Sequence, residues 1–169
     1  MNIEGVHDKQ FGCKLPYLKE HLQSDIEILA ETWGNCSHSA EIDGYHLIQI
    51  DAQKDNATKK GRKSGGIYMY FKQHLLNFLS VIKKTTHYMW IRIDKKCFTK
   101  LHTDLLICVA YNPPEASKYH KADITEEISD DILSMSSKLN AYLLIGDLNA
   151  RTGKLKDFDL EKNIERSRR

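Results

Sequence analysis

With 169 residues, 41% hydrophobic and 28% charged, the chain is long enough to bury one domain's core and too apolar for a disordered polymer. Its formal net charge of +2 is too small to argue for a nucleic-acid partner by itself, so the local distribution of charge matters more. No apolar run approaches a membrane span, and the N-terminus lacks a basic-then-apolar leader. The cysteines Cys13, Cys36, Cys97 and Cys108 have neither zinc-ligand spacing nor a secreted disulfide pattern.

In chain order, Asn2-Ile3 offers a thin candidate for a first strand. Lys14 to Leu22 reads as a helix, with Leu15, Leu18 and Leu22 on one face and Pro16 in the first turn. Asp25 to Ala30 reads as a short strand ending at Glu31-Thr32-Trp33-Gly34, where an acid emerges just after the apolar run. Tyr45 to Ile50 and Gly66 to Phe71 are strands, the second alternating Ile67, Met69 and Phe71 with Tyr68 and Tyr70. The loop between them carries Lys54, Lys59, Lys60, Arg62 and Lys63 against one acid, Asp55. Composition alone favours a solvated loop there over a binding element. Leu75 to Ile82 and Tyr88 to Ile93 are further strand candidates. Leu105 to Ala110 is nearly continuously apolar, as in a strand covered on both faces, and Tyr111-Asn112-Pro113-Pro114 stops it.

Asp123 to Leu139 is the strongest helix, with Ile124, Ile128, Ile132, Met135 and Leu139 near a 3.6 period. The run Tyr142 to Ile145 then leads into Gly146-Asp147-Leu148-Asn149. A period of two places Asp147 and Asn149 on one side and turns Leu148 back to the core. An ordinary Asp/Asn turn is the bland alternative for that stretch. The tail from Gly153 to Arg169 is charged, mixed in sign and without apolar periodicity. Three strand candidates thus end at Glu31, at Tyr111 and at Asp147 with Asn149, each leaving a polar group at its exit. Strands dominate over helices, which points to an α+β layered domain rather than a regular βαβ wind.

Taken together and in this order, Asp25-Ile26-Glu27-Ile28-Leu29-Ala30-Glu31-Thr32-Trp33, Gly65-Gly66-Ile67, Ala110-Tyr111-Asn112-Pro113-Pro114 and Gly146-Asp147-Leu148-Asn149-Ala150-Arg151 resemble the endonuclease/exonuclease/phosphatase superfamily. Within it they look most like the apurinic-type endonuclease domains of non-LTR (LINE-type) retrotransposons. The resemblance covers residues 1–152 and leaves 153–169 as a charged tail. It implies a four-layer α/β sandwich, two packed β-sheets with outer helices, that cleaves phosphoester bonds with magnesium, manganese being the substitute. By resemblance Glu31 is the metal ligand with Asn2 beside it, and Tyr111 hydrogen-bonds the scissile phosphate. Asp147 positions or deprotonates the attacking water, and Asn149 orients that acid or holds the phosphate. Lys59, Lys60, Arg62, Lys63 and Arg151 are the candidate DNA contacts. The chemistry agrees, since magnesium needs few protein carboxylates, while an amide and a phenol donate hydrogen bonds without titrating near neutrality.

The sequence departs from the family in one respect. Members carry a Ser-Asp-His motif on late strands, whereas here all the histidines, His7 to His120, precede Asp147. The chain therefore resembles the first two-thirds of the domain, incomplete at the C-terminus, and impaired turnover is expected. Three functions are in play: a metal-dependent DNA endonuclease, a phosphomonoesterase of the same superfamily, and a non-catalytic nucleic-acid-binding remnant. DNA is the expected partner, with no membrane and no small-molecule cofactor, in a soluble intracellular protein whose location fits the nucleus.

Overall fold

The structure, a computed structural model, describes residues 7–8, 12–34, 40–53, 63–136, 141–149, 157–159 and 164–166. The elements in order are β1 (His7–Asp8), β2 (Gly12–Cys13), α1 (Leu15–His21), β3 (Ile26–Ala30), β4 (Tyr45–Ile50), β5 (Ile67–Lys72), β6 (Leu79–Lys84), β7 (Tyr88–Ile93), β8 (Leu105–Tyr111), α2 (Ile124–Ser136), β9 (Ala141–Asp147), β10 (Asp157–Asp159) and β11 (Ile164–Arg166). Two pairs, β1 with β2 and β10 with β11, are small antiparallel ribbons. The candidate first strand at Asn2-Ile3 lies outside the described residues.

Two sheets carry the domain. The first has the order β3-β5-β4 and is antiparallel throughout; the second has the order β6-β7-β8-β9. Strands β6, β7 and β8 are antiparallel neighbours, whereas β8 and β9 are parallel. A parallel pair needs a long crossover, and α2 lies in sequence within that connection.

Alternation along the strands sets the layers. Ala30, Ile50, Ile67 and Met69 of the first sheet meet Met89, Ile91, Ile93, Ile107, Val109 and Tyr111 of the second in one inter-sheet core. On the outer face of the first sheet, Leu18 of α1 packs with Leu29, Tyr68 and Tyr70. On the outer face of the second, Ile124 and Ile128 of α2 pack with Tyr88, Trp90, Leu106, Cys108 and Ala110. The order of layers is α1, sheet, sheet, α2: the four-layer sandwich implied by the resemblance. Strand β8 supplies residues to two cores, which explains its unbroken apolar run.

One sequence-based element comes out differently. Leu75 to Ile82 reads as a single strand, but Gln73–Phe78 form a 3-10 helix and only Leu79–Lys84 pair as β6. Leu75 and Phe78 stand one 3-10 turn apart, and both line a hollow with Ile93, Cys97 and Phe98. Burial at a three-residue spacing and burial on a strand cannot be told apart in so short an apolar run. The described helices contain no segment long and apolar enough to cross a membrane.

Candidate active site at the rim of the two sheets

Tyr111 is the last residue of β8 and continues the face of Ile107 and Val109, so its ring lies between the sheets, 3% exposed. Its register partner across the parallel pair is Asp147, the last residue of β9. The Asn112 amide then donates to the Asp147 carbonyl at 2.9 Å, which closes the end of the sheet. Gly146 makes this close approach possible. A Cβ there, at φ 149°, would fall 1.8 Å from the Ala110 carbonyl oxygen.

Glu31 comes from the facing sheet. Ile26, Ile28 and Ala30 point inward, so a regular continuation of β3 would send Glu31 outward with Leu29. The backbone instead turns left-handed at Glu31 (φ 55°) and again at Trp33 (φ 49°). The Glu31 carboxylate accepts a hydrogen bond from the Tyr111 hydroxyl. Such conformations cost non-glycine residues roughly 1–3 kcal/mol each and need surrounding structure to hold them. Here the Thr32 and Trp33 amides donate to the carbonyls of Gly66 and Gly65 at 3.2 and 2.9 Å. Gly66, at φ 89°, has no room for a side chain, since a Cβ would lie 2.4 Å from Thr32 Oγ1. The Gly-Gly pair thus serves to dock the Glu31 turn. The buried Thr32 hydroxyl finds no hydrogen-bond partner among the described residues.

The Gly-Asp-Leu-Asn segment partly follows the period-two expectation. Leu148 does pack back, onto the α2-side core. Asn149, however, lies beyond the strand in a left-handed turn (φ 47°). Its backbone amide donates to Asp147 Oδ1 at 2.9 Å, and its side-chain Nδ2 donates to the Asn112 carbonyl at 2.8 Å. The acid is therefore oriented by the main chain of Asn149, while the side chain ties the turn to β8.

Sequence reading missed what Asn112 does. Its side chain, 2% exposed as a whole residue, donates to the Lys121 carbonyl and accepts from the Lys121 amide, at 2.9 and 3.0 Å. That pair closes residues 113–121 into a fixed loop. His87 Nε2 lies 2.9 Å from the Tyr119 carbonyl and His120 Nδ1 2.7 Å from the Pro113 carbonyl, fixing it further. Lys121 also pairs with Glu127 of α2 at 2.6 Å, and the hydrogen bond to Glu127 raises the pKa of the Lys121 ammonium. The available sequence signal was a buried-type amide ahead of two prolines, a frequent loop anchor.

The rim therefore has Tyr111 and Asp147 at the ends of neighbouring strands, Asn149 just beyond, and Glu31 reaching Tyr111 from the facing sheet. Beside it lies a hollow of about 310 Å³ lined by Glu31, Trp33, Lys63, Ser64, Ser117, Lys118 and Tyr119. Of the predicted nucleic-acid contacts, Lys63 lines this hollow; Lys59, Lys60, Arg62 and Arg151 lie outside the described residues, as does Asn2. A larger hollow of about 670 Å³ follows edge strand β4 and Lys84 and contains none of these residues.

Among the described residues no three His, Cys, Asp or Glu side chains are grouped as an all-protein metal cage requires. Magnesium makes a smaller demand, one or two carboxylates with water and substrate oxygens completing its shell. A half-buried carboxylate such as Glu31 at the mouth of the hollow fits that donor set.

No protein-family description matches the sequence, and no curated protein matches it significantly. Among solved structures the chain is similar to the human Nocturnin catalytic domain with bound sulfate anion. The two share 14% identity at a TM-score of 0.49, over 81% of this chain and 56% of that one. The chain thus spans little more than half of that domain.

Proposed function

We propose that the chain is a metal-dependent phosphodiesterase of the endonuclease/exonuclease/phosphatase type, cutting DNA in the manner of retrotransposon endonuclease domains. The observation that carries the reading is the Tyr111 hydroxyl reaching Glu31 across two sheets while Asp147 stands next to Tyr111 in register. The ordered motifs that resemble the family arrive at one rim, on strand ends and braced turns.

In this reading Glu31, with Asn2 by resemblance, holds magnesium, manganese substituting. When bound, the metal would supply positive charge beside the phosphate oxygens. Tyr111 donates its hydroxyl to a phosphate oxygen once substrate displaces it from Glu31. Asp147, fixed through Oδ1 by the Asn149 amide, takes the proton of the attacking water. Asn149 keeps that acid in place, since positioning supplies much of the catalysis in phosphoryl transfer. The family's Ser-Asp-His motif does not occur in this sequence, and His87 and His120 engage backbone carbonyls; slow turnover is part of the proposal.

A single-turnover plasmid-nicking assay, with protein in excess, tests it. Nicking is expected with magnesium and not with EDTA, and Glu31→Gln and Asp147→Asn should each slow it about 10²–10³-fold, the scale of losing one preorganised electrostatic group. A wild-type rate equal to that of Glu31→Gln would sink the reading. Release of inorganic phosphate from small phosphomonoesters, without nicking, would move it to a phosphatase.

A further inference from the structure

Strand β9 ends the second sheet, and among the described residues it pairs with β8 alone. The parallel register sets Tyr142 and Leu144 beside Leu106 and Cys108, and Leu143 and Ile145 beside Ile107 and Val109. Residues in register share a face, so Tyr142 and Leu144 continue the α2 side and Leu143 the inter-sheet side. Both faces run out into water here: Tyr142 is 59% exposed, Leu143 44% and Leu144 41%. Leu133 of α2, 71% exposed, joins them. Asp131 reaches Lys83 of β6 and Tyr88 and Trp90 of β7, while Ile132 packs on the sheet. At about 100° per residue, Leu133 lies on the other flank of α2, the one towards β9 in the order β6-β7-β8-β9.

The opposite edge of the same sheet is guarded. Strand β6 shifts register between Val81 and Lys83 and ends on Lys83 and Lys84, and bulges and lysines discourage a further strand. Strand β9 keeps register with β8 over all seven residues, with no proline and no charge before Asp147. The four exposed side chains leave on the order of 400 Å² of apolar surface in water, the size at which a patch marks an interaction site. A helix could cover one face of β9 but not both. An element apolar on both faces, with an unpaired edge of its own, covers both, and β9 of a second copy is such an element. We infer that β9 is a dimerisation strand, two copies pairing antiparallel about a two-fold axis through Leu143 or Leu144. Tyr142, Leu143, Leu144 and Ile145 then meet one another, the two Asp147 side chains stay at opposite ends, and Leu133 extends the contact on the α2 side. Two patches make roughly 800 Å² of apolar contact. At the apolar share of homodimer interfaces, about 65%, that corresponds to about 1,200 Å² in all, the lower bound of a stable interface. The interface needs nothing from the chemistry of the rim.

Sedimentation velocity on the 169-residue chain, from low to high micromolar concentration, tests the pairing. A reversible monomer–dimer equilibrium without larger species is expected, since a two-fold contact closes on itself. Leu144→Lys, which sets like charges near the axis, should weaken dimerisation about 100-fold or more. Leu133→Glu, at the margin, should weaken it about 10-fold. Val81→Lys, at a comparably exposed side chain on β6, should change nothing. On mild oxidation Leu143→Cys or Leu144→Cys, whichever stands at the axis, should give a disulfide-linked dimer, because residues directly opposite in an antiparallel pair are close enough to bridge. Val81→Cys should give no more than wild type. If circular dichroism shows Leu144→Lys misfolded, Leu133→Glu and the cross-link carry the test.

A chain that stays monomeric throughout, with or without another polypeptide seated on β9, would overturn the dimerisation strand. So would growth into open-ended polymers, a dimer that survives Leu144→Lys, or one lost in Val81→Lys. Those outcomes leave the nicking result untouched. Conversely, a chain that dimerises through β9 and never nicks DNA would keep the interface and remove the catalytic reading.

Discussion

Asp131 and Glu31 each accept a hydrogen bond from a tyrosine hydroxyl, on opposite faces of the second sheet, and their surroundings differ in every other way. Asp131, on α2, accepts from Tyr88 and Trp90 at 3.0 Å each and from Lys83 at 2.7 and 2.8 Å. Both aromatic donors are fully buried, and α2 is regular around the acid. Among the described residues Glu31 accepts a hydrogen bond from Tyr111, on a left-handed backbone at the edge of a hollow. The first carboxylate fastens a helix to a sheet; the second retains coordination capacity and is held in a costly conformation. An acid that is fully engaged stabilises the fold, and one kept partly engaged at a braced turn can do chemistry.

Stability measurements sharpen that contrast. Asp131→Ala strips the acceptor from two buried donors, each costing about 1–3 kcal/mol when unsatisfied. A loss of about 3 kcal/mol is expected, or roughly 6–12 °C in Tm for a chain of this size. Glu31→Gln keeps an oxygen that can accept from the Tyr111 hydroxyl and should cost less, about 1 kcal/mol or below. Urea unfolding of both proteins checks the pair, and equal losses would erase the distinction between them. A somewhat smaller effect is expected from Gly66→Ala, which touches no acid. The added methyl meets Thr32 Oγ1 at 2.4 Å, and the left-handed backbone adds about 1–2 kcal/mol of strain. Stability should fall by about 2 kcal/mol, and magnesium-dependent nicking should fall with it as the Glu31 turn loses its dock. Unchanged nicking in folded Gly66→Ala would show that the turn tolerates displacement.

The sequence made the regular parts legible because burial leaves a period. Tyr45–Ile50 and Tyr88–Ile93 are strands to the residue, and α2 follows the stripe of Ile124, Ile128 and Ile132. The rim was legible through strand exits, since Glu31, Tyr111 and Asp147 stand where apolar runs stop. Its geometry was not, because left-handed turns at Glu31, Trp33 and Asn149 break the alternation on which such readings rest. Trp33 was legible only as part of the Glu31-Thr32-Trp33 motif, and Lys118 and Tyr119 not at all, because a hollow built from three distant stretches leaves no local pattern. Asp131 did leave one: it falls three residues after Ile128, inside the apolar stripe of α2. An acid in that position signals buried partners.

The smallest expected effect tests whether the Asp131 side of the sheet is closed to solvent. Burial pushes the Cys108 thiol up from 9.0 to about 12, and burial is also the main cause raising Tyr88 above 10.0. Hydrogen bonds to Asp131 and Tyr88 raise Lys83 above 10.5. All three pKa values are higher folded than unfolded. Their contribution is therefore complete below the unfolded values and is lost as pH rises through the folded ones. Cys108 titrates first: above pH 9 the unfolded chain releases a thiol proton that the folded chain keeps until about pH 12. Each such proton tilts stability by up to about 1.4 kcal/mol per pH unit. Urea midpoints between pH 7.5 and 11 should hold steady to about pH 9 and then decline. Cys108→Ala should start lower, because a buried sulfur is lost, but decline less steeply between pH 9 and 10, so the two curves converge. Cys97→Ala serves as the comparison, since that half-buried thiol is raised by the same cause and its removal should flatten the limb less. Parallel decline of wild type and Cys108→Ala would mean that water reaches the α2-side core and that the contrast between the two carboxylates is smaller than their geometry indicates.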